Sequence, residues 1–239
     1  MASSSSTSEG RPAKRTKLDY VEDVTALVGP NETKFVVHKE LIELFPGSMQ
    51  RRMERAAREN RSLTEADPDV FGTYLYYVYT SEVDVRKAAD ATSARVYGKE
   101  MPDKDAEELS MQLINTYALG DMLQDTCFCN AVVDETVRLV EGTCRIPTVR
   151  IIQSLWDKVP HQSMLTKLIV HYLAFDHRKE DFDETGPLLP PGIWFEIAKV
   201  SIHEQWLPWK TKTPRGRPRC AYHQHKDDAD KCDRSRTAK

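Results

Sequence analysis

The chain has 239 residues, of which 40% are hydrophobic and 30% charged, enough apolar matter for one or two modest folded domains and too much for a disordered chain. Its net charge of −3 excludes a surface that binds nucleic acid by overall charge, so any such affinity must come from local basic segments. The N-terminal "MASSSSTSEG" lacks an apolar h-region and no later run is long enough to cross a bilayer, so we expect neither secretion nor a membrane association.

Residues 1–19 form a polar arm that cannot bury enough apolar area to order itself. Within it, "PAKRTKLD" resembles a monopartite nuclear import signal with Lys14, Arg15 and Lys17 as its basic core. The plainer reading is a solvated basic arm. "DVTALVG" (23–29) and "KFVVH" (34–38) read as two strands joined by the turn "GPNET". A short helix over Lys39 to Phe45 should break at Pro46-Gly47, with Ser48 capping a second helix to about Asn60.

A short strand near Leu63 follows. Asp67 then caps a helix that starts on Pro68, and Phe71, Tyr74, Leu75 and Val78 give it one apolar stripe. Residues 86–109 are polar and poor in large apolar groups, which predicts an exposed insertion, partly helical or disordered. Helical patterning resumes from Leu109 to Val140, with Leu109, Leu113 and Tyr117 before an expected break at Gly120-Asp121, then Cys129, Val133, Val137 and Val140. Two more helices are expected after Pro147, the second behind Ser163 with the stripe Leu165, Leu168, Ile169 and Tyr172, and a shorter one at "PPGIWFEIAKVS". From about Lys210 the chain turns basic and loses apolar periodicity.

Five cysteines (Cys127, Cys129, Cys144, Cys220, Cys232) without framework spacing suit free or metal-binding thiols. Cys127 and Cys129 lie in a helical pattern, where a small buried hydrophobe is the plainer role.

The element order amounts to an α+β plan. At "DVTALVG", "FVVHKELI", "ADPDVFGTYLYYVYT" and "YALGDMLQD" the chain resembles the BTB/POZ domain, especially its filamentous-fungal branch, over roughly residues 20–142. "LWDKVPHQSMLTKLIVHYLAF" is similar to the helical extension that follows this domain, which gives a domain at 20–142, an all-helical extension at 143–209 and a basic Cys/His tail at 210–239. Pro46-Gly47 and the long 86–109 insertion depart from the family pattern.

The resemblance implies a BTB/POZ fold, a small sheet flanked by helical hairpins, with no enzyme activity of its own. It implies a protein–protein interaction scaffold that forms a homodimer or pairs with another BTB protein. In dimeric members an Asp opening the first strand and a basic residue after the motif His form a charged pocket, which falls here on Asp23 and Lys39, beside the motif residue His38. His38 ends an apolar strand and no nucleophile elbow, P-loop or H-E-x-x-H accompanies it, so it reads as architecture.

An apolar dimer surface could draw on Leu41, Leu44, Phe45, Met49, Met53, Leu18 and Tyr20, although Leu41 and Leu44 serve a monomer core as readily. The family's alternative role, a substrate adaptor for a cullin ubiquitin ligase, would use the helix "SMQRRMERAAREN". Its partner face is Met49, Arg51, Arg52, Met53, Glu54 and Arg55, and the basic charge weakens the match.

Two tail motifs carry chemistry. Arg215, Gly216, Arg217 and Pro218, followed by Arg219, resemble an AT-hook. Gly lets the backbone reach the minor-groove floor, Pro keeps it extended, and arginines enter the narrow groove of A·T tracts, giving weak, salt-sensitive DNA contact. The plainer reading is a basic linker. Cys220, His223, His225 and Cys232 then supply four ligands of zinc type, which suits a structural zinc. H-x-H is not the common finger spacing, and Asp227, Asp228 and Asp230 offer competing oxygens. A metal-dependent enzyme built on this tail ranks last, because no general base is apparent beside it.

Overall fold

The computed structural model describes residues 23–42, 47, 50–51, 62–63, 67–85, 98, 101–176, 183–184, 186–208 and 212–225. They form a mixed α+β structure in which a small sheet lies beside a larger helical body.

Strands β1 (Asp23–Val28) and β2 (Thr33–His38) pair antiparallel, with Val24 opposite Val37 and Ala26 opposite Phe35. Side chains alternate across a strand, so Ala26, Val28 and Val37 all reach the buried face while Val36 faces outward. Gly29 opens the turn at φ 75°, a left-handed conformation that a Cβ would strain, and Glu32 closes it by donating to the Gly29 carbonyl at 3.2 Å. After helix α1 (Lys39–Ile42) the chain returns as β3 (Ser62–Leu63), parallel to β1 on the side opposite β2. The remainder of the expected 39–45 helix, and most of the 48–60 helix, lie outside the described residues.

Helix α2 (Pro68–Thr80) is built as its sequence predicts. The Asp67 carboxylate accepts from the amides of Asp69 and Val70, and Pro68 sits where no donor is needed. Phe71, Tyr74, Leu75 and Val78 are buried, and Phe71 meets Phe35 edge-on at 5.1 Å, which seats the helix on the sheet.

Two antiparallel neighbours follow, α3 (Asp103–Leu123) and α4 (Thr126–Thr143). Here one expectation is sharpened and one is corrected. Residues 103–109, the end of the segment read as an exposed and partly helical insertion, form the first turns of α3, with Asp103, Lys104, Asp105 and Glu108 exposed and Ala106 buried. Asp103 and Asp105 lie in its first turn, where acidic side chains suit the positive end of a helix. Gly120-Asp121 does not break the helix. It ends after Leu123, with Gln124 left-handed at φ 59° and Asp125 capping α4. Gly120 is needed for packing: a Cβ there would lie 2.9 Å from both Cys129 Sγ and Phe128 Cδ1.

Helices α5 (Val149–Lys158), α6 (Met164–Phe175) and α7 (Pro191–His203) complete the body. Ser163 caps α6 by accepting from the Thr166 amide, and Leu165, Leu168, Ile169 and Tyr172 are buried as the stripe predicts. Gly192 at the start of α7 lies against the Trp156 indole, too close for any side chain. The core runs through both regions. One small cavity of about 20 Å³ is walled by Leu113, Ile114 and Val140 from α3 and α4 and by Ile151, Leu155 and Leu165 from α5 and α6. Of the two cysteines read as small core residues, Cys129 is buried and Cys127 is exposed.

Candidate functional site

Two constellations contain the residues singled out by the sequence. The first lies at the open end of the hairpin. Asp23 and His38 are register partners, so the strands themselves bring Asp23 Oδ1 within 2.7 Å of His38 Nδ1. His38 thus faces the Asp23 carboxylate, and Lys39 follows it at the start of α1. Tyr79 stands edge-on to the His38 ring at 5.9 Å. Both members of the pair are substantially exposed, at 31% and 58%, so the interaction is worth at most about 1 kcal/mol. Leu41, a candidate for the dimer surface, is buried in this chain's own core.

The second constellation is the tail, which has a core after all. Residues Pro214–Gly216 and Arg219–Tyr222 form 3-10 turns, and the segment lies across α4, α6 and the end of α7. Tyr222 anchors it, 1% exposed, with its hydroxyl 2.7 Å from His171 Nδ1. His171 faces the protein interior from α6 and is itself 1% exposed. Burial, reinforced by the charges of Arg217 and Lys167, lowers its pKa to about 3, so the ring is neutral near pH 7. Burial also raises the Tyr222 pKa well above its ordinary value. The phenol therefore keeps its proton, and it donates to His171 Nδ1 in the tautomer whose ring hydrogen is on Nε2, the nitrogen that faces Glu204.

The other ring nitrogen, Nε2, lies 3.7 Å from Glu204 Oε1, and the second oxygen of Glu204 pairs with Arg217. Arg217 and Glu204 are each only 15% exposed, so their pairing offsets part of the cost of taking both charges out of water. Arg215 Nε approaches Asp176 Oδ2 at 3.5 Å, and desolvation raises the pKa of that carboxyl. Lys212 donates to the Gln205 carbonyl. Further along, Asn130 on α4 holds the Gln224 backbone at two points, accepting from its amide at 2.8 Å and donating to its carbonyl at 3.0 Å. His223 Nε2 lies 3.1 Å from Asp134 Oδ1.

The expected zinc ligands are only partly brought together. Cys220 Sγ and His225 Nε2 are 3.1 Å apart, but His223 turns to Asp134 and its ring centre is 6.1 Å from that of His225. Among the described residues no group of three or more His, Cys, Asp or Glu side chains could hold a metal ion. Cys232 lies outside the described residues, as do Lys14, Arg15, Lys17, Met49, Arg52, Met53, Glu54 and Arg55; Arg51 is exposed.

Sequence reasoning missed the receiving side of this arrangement: His171, Glu204, Asp176, Asn130 and Asp134. One signal was available, since His171 interrupts the otherwise apolar run "LIVHYLAF". A further surface, on and just after α7, exposes Phe195, Ile202 and Trp206, the last at 87%. Among the described residues no helix is long and apolar enough to cross a membrane.

Comparison with family models, with characterised proteins and with solved structures finds no match to this chain.

Proposed function

We propose that the protein is a non-enzymatic interaction scaffold of the BTB/POZ type, dimeric through its N-terminal domain, directed to the nucleus by Lys14, Arg15 and Lys17 and weakly tethered to DNA through the basic tail. The reading rests on the four ordered segments that resemble that domain. The observation that carries it furthest is the element order from 23 to 80. A hairpin leads through a short helix to a third strand that returns parallel beside the first, and then to a helix seated on the sheet. Exposed Val36 on the outer strand and the apolar side chains near α7 give a scaffold surface to offer partners.

Light scattering at micromolar concentration tests the scaffold directly. Twice the chain mass is expected, and a monomer throughout the concentration range would overturn the dimer.

A further inference from the structure

We propose that the C-terminal basic segment is a latent DNA-binding element, masked by the protein's own acidic side chains and exposed only when the tail leaves its seat on α4, α6 and the end of α7. The inference rests on the tail being a DNA tether and adds its regulation. Of the two arginines that would enter a minor groove, one is held and the other, half-exposed, lies beside a carboxylate. Arg217 is paired with Glu204 in a largely buried setting, and Arg215 approaches Asp176. The backbone is also committed: Arg215 and Gly216 close a 3-10 turn, whereas groove insertion needs an extended Arg-Gly-Arg.

The negative minor groove of A·T tracts and the carboxylates of Glu204 and Asp176 therefore compete for the same cations. Because the two states exclude each other, docking lowers DNA affinity by the factor by which DNA lowers docking. The anchors that hold the tail down are separate from the arginines: Tyr222 on His171, and the Gln224 backbone on Asn130. Docking can thus be weakened without touching any residue that would meet DNA.

The test is fluorescence anisotropy with a labelled A/T-rich duplex at low salt, using the full chain. The double variant Glu204→Gln/Asp176→Asn removes the largely buried Glu204–Arg217 ion pair and the Arg215–Asp176 approach together, which favours release. It should bind about 5- to 150-fold tighter than the unaltered protein, the usual range of coupling between two sites. Its salt dependence should steepen by about 0.9 in log–log slope for each arginine newly engaged. Asp157→Asn/Glu32→Gln changes the net charge equally on exposed side chains and should leave affinity unchanged. Asn130→Ala, which removes two hydrogen bonds to the tail, should raise affinity in the same direction, and it decides the matter if the first variant does not fold. Equal binding by the unaltered protein and the release variants overturns the masking alone. Binding by none of them overturns the masking and the DNA tether together, while the dimer is judged by light scattering.

Discussion

His171 shows how much one side chain can impose when it is buried without its charge. In an unfolded chain its imidazole titrates near the ordinary value of 6.5; folded, it resists protonation down to about pH 3. Between these limits the unfolded state binds one more proton, so stability falls as pH falls, by about 1.4 kcal/mol per pH unit. Above 6.5 the residue contributes no slope. The groups facing it are the Tyr222 hydroxyl, the Glu204–Arg217 pair and, at longer range, Lys167; desolvation, with the positive charges of Arg217 and Lys167, outweighs the Glu204 carboxylate and keeps the ring neutral. Denaturant unfolding at pH 7.5 and pH 5 should therefore show a loss of about 2 kcal/mol from this residue on acidification. His171→Gln should remove that part of the difference. If the unaltered protein and the variant have the same pH profile, the ring is not held neutral in the way described.

At the scale of elements, local rules and packing needs divide the explanation. Asp67-Pro68 and Ser163 announce helix starts because their capping chemistry is local, and the stripes of α2 and α6 repeat within one or two turns. Those parts were legible. The end of α3 was not, because Gly120 reads as a breaker in sequence while its role is a close approach to α4 that only the folded pair reveals. Replacing it puts the two readings in conflict. Gly120→Ala should gain up to about 1 kcal/mol of helix propensity. Against that, the new methyl meets Cys129 Sγ and Phe128 Cδ1 at 2.9 Å in a filled core, and overpacking costs about 1–3 kcal/mol. A net loss of roughly 1–2 kcal/mol in a urea titration is expected. A more stable variant would mean that the α3–α4 contact gives way easily and that glycine is not required there.

Across the whole molecule, long-range pairing is what the sequence hid. The tail looked coreless because the partners of Tyr222 and Gln224 lie 51 and 94 residues away, where no periodicity can signal them. The same holds for the border drawn near residue 142 from the family resemblance. It separates two stretches of sequence but not two cores, since α3 and α4 close one side of a shared apolar interior and α5 and α6 the other. Buried Leu113, Ile114 and Val140 would be laid bare if the chain stopped after Gly142, and Asn130 and Asp134 would lose the tail that covers them. Each large aliphatic side chain returned to water costs about 1.5–3 kcal/mol, so three of them approach the entire net stability of an ordinary domain. A chain ending at Gly142 should therefore lose cooperative unfolding and bind a hydrophobic dye, whereas the full chain melts in one transition. A truncated chain that unfolds as sharply, and at the same temperature, as the full protein would show that the first domain is self-sufficient. The helices after it would then be an attachment and not half of its core.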